Sequence, residues 1–172
     1  MRPTEILSQY FPEWQNAEIA DLAGERDLNF KLTKTNACAV LKIYQPGQHD
    51  WLMIQDRALH SLSDLAPHVP QPLHTQIIEL AGGKHARLVT WVPGKAWAEV
   101  EKSSRDLSNL GKLLGSVDSR LRSIELSAPE LTILQRPFIW NMLQAGNLSQ
   151  HLHQIEDRKV REICMRILED FR

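Results

Sequence analysis

Cysteine is scarce. The chain has 172 residues and only two cysteines, Cys38 and Cys164. They have no CxxC spacing and sit in apolar patterns, which argues against a disulfide framework or a structural zinc site. No sign of charge is in excess: 20 Lys and Arg face 21 Asp and Glu, a net charge of -1. A generic nucleic-acid binder draws its affinity from surplus basic residues, so nucleic acid is not an expected partner. No apolar run approaches the roughly 20 residues of a membrane span. The first residues, Met1 to Glu5, lack the basic and apolar regions of a signal peptide. A reducing, cytoplasmic setting without membrane contact is therefore expected. No internal repeat, low-complexity segment, GxSxG elbow, Walker A loop or HExxH pair is present. Seven histidines are scattered. His151 and His153, two apart, would point about 200° apart on a helix, so solvated surface histidines are expected and no metal site.

What remains is ordinary globular composition, 42% hydrophobic and 24% charged, at about the length of one domain. The period of the hydrophobic pattern changes along it. Residues 4–11 predict a short helix. Residues 17–23 and 28–34 predict a strand pair around a turn at Gly24. Residues 37–44 (ACAVLKIY) predict a strand that Pro46-Gly47 ends. Residues 49–65 have helical period, with Trp51, Gln55, Ala58, Leu59, Leu62 and Leu65 on one face. Residues 73–80 and 85–92 read as a hairpin around Ala81-Gly82-Gly83.

The second half is helical. Residues 104–122 carry a leucine stripe, with Ser103 and Asp106 as a capping pair. Residues 137–154 are a weaker helical stretch, and 156–171 a clean amphipathic one. The fold class is α+β, with a small antiparallel sheet and one helix ahead of a helical segment. The expected division is 1–93 and 94–172.

Four features break the pattern. Lys42 lies in the most apolar strand and must either reach water or meet an anion, because an unpaired buried ammonium is costly. Gln55 interrupts an apolar helix face and wants a polar partner. Residues 24–30 (GERDLNF) are either a plain hairpin turn or a loop that wraps a phosphate with backbone N–H groups and Arg26. Residues 90–94 (TWVPG) are either a connector or a hinge beside a ligand cleft.

In order, these are a turn, a strand lysine, a helix with an inward polar residue, a hairpin, a hinge and helices. Residues 22–30 (LAGERDLNF), 40–43 (VLKI), 86–94 (ARLVTWVPG) and 110–115 (LGKLLG) resemble the aminoglycoside phosphotransferase family, and most nearly its hydroxylysine kinase-like branch. The later segment 136–142 (RPFIWNM) is similar to that branch's Trp-Asp-Leu segment, with Asn141 in place of Asp. The resemblance runs from about residue 5 to 171. It implies a protein kinase-like small lobe followed by the first helices of the large lobe.

By this resemblance, Lys42 matches the lysine that binds nucleotide phosphates. Gln55 matches the helix residue, usually glutamate, that holds that lysine. Gly24, Arg26 and Asn29 match the loop over the phosphates, and Trp91 and Val92 the hinge that bonds the purine. The implied cofactor is ATP or GTP, with magnesium in a full-length enzyme. The implied reaction is phosphorylation of a hydroxyl on an amino alcohol or hydroxylated amine such as hydroxylysine. The family's His-Gly-Asp-x-x-x-x-Asn loop and its later metal-binding Asp have no counterpart here, so no catalytic or metal residue is assigned. The chain is expected to be a nucleotide-binding portion that is not competent alone. The remaining lobe, or a class III aminotransferase, would follow it as a fused domain. The alternative is a catalytically dead binding or regulatory domain that self-associates as a homo-oligomer through an exposed helical face. The least favoured reading is an unrelated α+β binding module.

Overall fold

In the computed structural model, residues 2–135 and 142–169 are described. The chain forms two compact units, divided between Leu134 and Gln135. The change from strand to helix near Pro93 falls inside the first.

The first unit opens with helix α1 (Pro3–Tyr10), whose entry is fixed by Glu5 reaching back to the Arg2 N–H at 2.9 Å. Five strands follow: β1 (Glu18–Leu22), β2 (Leu28–Lys34), β3 (Ala37–Tyr44), β4 (Ile78–Glu79) and β5 (His85–Thr90). They form one antiparallel sheet in the order β1-β2-β3-β5-β4.

Side chains alternate between faces along a strand, so this sheet has two different surfaces. On one, Leu32, Ala39, Leu41, Ile43, Ala86 and Leu88 pack with Ile6 and Leu7 of α1 and with Phe11 and Trp14. This is the main core. The opposite surface carries Asn29, Lys31, Val40, Lys42, Tyr44, Arg87 and Val89, with Lys42 paired to Arg87 in the β3–β5 register.

Helix α2 (His49–Ser61) lies over that second surface. Its buried residues are Leu52, Ile54 and Asp56. Of the stripe read in the sequence, Leu62 is buried and Trp51, Gln55, Ala58, Leu59 and Leu65 are half-buried, so the helix buries a broader arc than that stripe. The reason is that α2 serves two neighbours. It meets the sheet on one side and helices α3 (Ser104–Arg122) and α4 (Ala128–Leu134) on the other. Arg57 of α2 pairs with Glu130 of α4 at 2.6 Å. Arg120 of α3 forks onto Asp64, with its Nε 2.8 Å from Oδ1.

The strands β2 and β3 and helix α3 have the predicted bounds. The Ser103 cap is present, its hydroxyl accepting from the Asp106 N–H at 3.2 Å. Three expectations need correction. The helix predicted to residue 65 stops at Ser61 and tightens into a 3₁₀ turn over Ser63–Leu65, after which Ala66 is extended, as the residue before a proline favours. The strand predicted over 73–80 shrinks to Ile78–Glu79. Around its predicted start the chain touches β5 through an isolated bridge from the preceding Pro72 to Val89 and through the Leu73 N–H on the Leu88 carbonyl at 3.0 Å. Proline lacks the donor a continuous ladder needs. Helix α4 was not anticipated, although Ser127 and Glu130 cap it, the Ser127 hydroxyl donating to Glu130 at 2.7 Å. That Ser-x-x-Glu box, with Pro129 in the first turn, was its legible signal.

In the second unit, residues 142–154 form a 3₁₀ stretch, and helix α5 spans Arg158–Glu169. Asp157 caps α5 by accepting the Lys159 and Val160 N–H groups at 2.8 and 3.1 Å. Residues 137–141 of the predicted weak helix, including Trp140 and Asn141, lie outside the described residues. Leu107, Leu110, Leu114 and Leu121 of α3 are exposed, as are Val160, Ile163 and Ile167 of α5. No helix among the described residues is long and apolar enough to cross a membrane.

Candidate functional site

The second face of the sheet and helix α2 enclose a cleft of about 460 Å³. Its walls are Val40, Lys42, Gln55, Ala58, Leu59, Pro70, Arg87, Val89, Thr90, Trp91 and Val92. The chemistry is graded along it. One end is apolar, built from Val40, Val89 and Trp91. The other presents the cations Lys42 and Arg87.

Lys42 is half-buried in β3. Its ammonium donates to Asn29 Oδ1 across the β2–β3 pair at 2.6 Å. Asn29 in turn donates from Nδ2 to the Asp27 carbonyl at 3.1 Å, so the turn between β1 and β2 holds the residue that holds the lysine. Gly24 makes this packing possible: a Cβ there would collide with Asn29 Nδ2 and with the Asp27 carbonyl oxygen. From the far side, Gln45 Nε2 donates to the Arg26 carbonyl at 3.1 Å. Burial pushes the Lys42 pKa down; the nearby Asp27 charge pulls it back up, and Arg87 lowers it again. Lysine at this position is thus poorly hydrated and faces a like charge, which favours meeting an anion.

The Gly24→Ala variant is expected to displace Asn29 and loosen its hold on Lys42. A weaker affinity for triphosphate than in the parent chain, measured by titration, checks this. Unchanged affinity would show that the turn accommodates a methyl group elsewhere.

Arg87 is buried in β5. Its Nε donates to the Tyr44 hydroxyl at 2.9 Å, its Nη2 to Gln55 Oε1 at 2.8 Å, and its Nη1 to the Asp56 carboxylate. All three directions of the guanidinium are used. The Tyr44 ring lies under it, 5.4 Å from the guanidinium carbon. Burial pushes the Tyr44 phenol up to about 12, partly offset by Arg87. A folded pKa above the usual value of 10.0 means that folding favours the neutral phenol. That contribution is complete below pH 10 and is lost as pH rises toward about 12. Denaturant melts across that window should show falling stability, and Tyr44→Phe should remove this part of the slope.

The sequence-derived residues fall into three groups. Lys42, Gln55, Trp91 and Val92 line the same cleft. Asn29 and Gly24 stand behind Lys42. Arg26 is exposed in the turn and is not part of the cleft wall. Trp91 and Val92 follow directly after the last ladder pair, Ala39 with Thr90, so their backbone groups lie beyond the β3–β5 ladder. Lys31 reaches over the Trp91 ring, 4.4 Å from its centroid. Gln55 bonds Arg87, while the bond found for Lys42 goes to Asn29.

Sequence reasoning passed over Arg87, Asp56 and Tyr44. The signal that singled out Lys42, a cation within an apolar strand, applies equally to Arg87 between Ala86 and Leu88. Among the described residues, no group of three or more His, Cys, Asp or Glu is placed to hold a metal ion.

Comparison with known proteins bears on this geometry. The family model described as APH, phosphotransferase enzyme family, matches residues 18–171. Hydroxylysine kinase of Danio rerio is 29% identical over 86 residues, 49% of this chain and 24% of that protein. Hydroxylysine kinase of Mus musculus is 30% identical over 87 residues, 50% of this chain and 23% of that protein. The bovine protein of the same name matches at 30% over the same length. The matched segment thus spans about a quarter of these relatives.

Proposed function

As the chain belongs to the phosphotransferase enzyme family, we propose that its first unit is the nucleotide-binding lobe of a small-molecule kinase that uses ATP or GTP. The five-stranded antiparallel sheet followed by helices is the kinase-like arrangement of that family. One observation carries the reading: a single cleft joins an apolar hinge end at Trp91 and Val92 to a lysine held by the glycine turn. A purine would lie against Val40 and Val89 and bond the backbone after Thr90. The phosphates would reach Lys42.

The cleft walls contain no carboxylate. They fit the nucleotide and not its magnesium ion. In this family the ion and the acceptor hydroxyl are handled by the His-Gly-Asp loop and a later aspartate. These 172 residues contain no His-Gly-Asp. The proposal for the chain by itself is therefore nucleotide binding without phosphoryl transfer. For the protein carrying that loop, it is transfer of the γ-phosphoryl to a hydroxyl of a hydroxylated amine. The hydroxylysine kinases among its relatives support that acceptor class.

The test is titration of the chain with Mg·ATP and Mg·GTP, followed by tryptophan fluorescence. Saturable quenching that disappears in Trp91→Phe is expected, with no nucleoside diphosphate released when hydroxylysine is added. Failure of both nucleotides to bind at millimolar concentration would overturn the nucleotide reading. Diphosphate release would overturn the separation of binding from transfer.

A further inference from the structure

In a kinase-like lobe, one strand lysine ordinarily does two things: it bonds the nucleotide phosphates and it ties the helix carboxylate to the sheet. Here the two tasks fall on different residues. Helix α2 offers Gln55 at the cleft wall and the buried Asp56 beside it, and both are taken by Arg87. Lys42, its direct cross-strand neighbour, is bonded to Asn29 of the turn region. The tie through Arg87 is also the more deeply buried, its side chain being 5% exposed and that of Asp56 12% exposed.

We propose that Arg87 is a positioning residue for the nucleotide site, docking α2 onto the sheet through Asp56 and Gln55 so that Lys42 is left to the phosphates. The assignment of phosphates to Lys42 rests on the nucleotide reading above; the docking role of Arg87 does not.

The geometry explains why glutamine suffices at position 55. A strand lysine needs a carboxylate on the helix, because an ammonium is a point charge. A guanidinium offers donors in a planar fork. One arm satisfies the Asp56 carboxylate and another the Gln55 amide oxygen, while Nε takes the Tyr44 hydroxyl. Net charge is balanced by Asp56 without drawing on Lys42. Because this tie does not involve the phosphate-binding lysine, α2 is docked before nucleotide arrives and stays docked when Lys42 engages an anion.

Hydrogen exchange of α2 amides, residues 49–61, in the 172-residue chain without nucleotide tests this division. The variants are Arg87→Met, Asp56→Asn, Arg87→Lys and Lys42→Ala. Arg87→Met and Asp56→Asn are expected to speed α2 exchange by about tenfold or more, as the loss of a buried charged hydrogen bond should. Lys42→Ala should leave it within about twofold, because the bond of Lys42 goes to Asn29 and not to α2. Arg87→Lys should fall between, because lysine keeps the charge and loses the fork.

Binding supplies a second readout that packing alone would not move. Arg87→Met should weaken Mg·ATP more than adenosine, since both lose the seating of α2 but only the nucleotide loses the placement of its phosphates at Lys42. The proposal is overturned if Lys42→Ala opens α2 as much as Arg87→Met, or if neither Arg87→Met nor Asp56→Asn changes its exchange. It is also overturned if ATP and adenosine weaken by the same factor. A parent chain that binds neither nucleotide overturns the nucleotide reading; the exchange result then decides the role of Arg87 unaided.

Discussion

Replacing Lys42 with alanine is expected to weaken Mg·ATP binding by about 10- to 100-fold, the range for losing one or two charge-assisted hydrogen bonds. The reason lies in how the ammonium is held. It is drawn out of water by burial, bonded to the neutral amide of Asn29, and set opposite Arg87 in the register. Asp27 compensates part of this charge. A triphosphate supplies the rest, so the energy of its arrival is concentrated on this residue. Folding should survive the change, because the variant removes a cation that faces another cation. A thermal melt at or above that of the parent, together with the lost affinity, is the expected pair of results. Parent-like affinity in the same titration would remove Lys42 from the phosphate site.

Asp56→Ala is expected to act in the opposite way, on stability first. Its carboxylate is the charge partner of Arg87, and both side chains are almost fully buried. Removing one member of a buried pair leaves the other uncompensated, which costs about 3–5 kcal/mol. Arg87 would keep Gln55 and Tyr44 as partners, but neither carries a negative charge. Urea unfolding measures the loss directly. Asp56→Asn should cost less, because the amide oxygen still accepts a hydrogen bond. A loss below about 1 kcal/mol for Asp56→Ala would be the behaviour of a solvent-screened surface pair, and would show that the interior of this cleft is wet.

Together the two variants separate binding from architecture. Lys42 should matter to the ligand and little to the fold. Asp56 should matter to the fold first, and to the ligand through α2. Position along the chain does not reveal this contrast, since Lys42 is a position that the resemblance picks out and Asp56 adjoins another, Gln55.

Much of the fold was legible before the structure. β2, β3 and α3 have the predicted bounds because each has a clean period and an explicit stop: alternation up to Pro46-Gly47 for β3, and the Ser103–Asp106 cap for α3. The irregular parts were not legible. Residues 73–77 read as part of a strand, yet they follow Pro72, which has no donor to give, and the Pro72–Val89 bridge and the Leu73 N–H bond to Leu88 tie this stretch to β5 in place of a ladder. The stripe read on α2 is only part of the arc that the helix buries. Periodicity shows that a helix has an apolar side, but not that it is wedged between a sheet and two other helices.

The site divides in the same way. Sequence alone singled out residues at its two ends, and the chemistry proposed for them rests on that reading. A lysine in an apolar strand, a glycine turn before it and a Trp-Val-Pro-Gly hinge after it are local features, and the structure brings Lys42, Trp91 and Val92 onto one cleft. Only the tertiary structure decided the partners. Asn29 meets Lys42 because β2 and β3 pair in that register. Arg87 takes Gln55 and Asp56 because β5 lies beside β3 beneath α2. The pairing of residues 31 and 32 positions apart depends on strand order and on the seating of a helix. Both are set by burial summed over the whole core, which no local window of sequence contains.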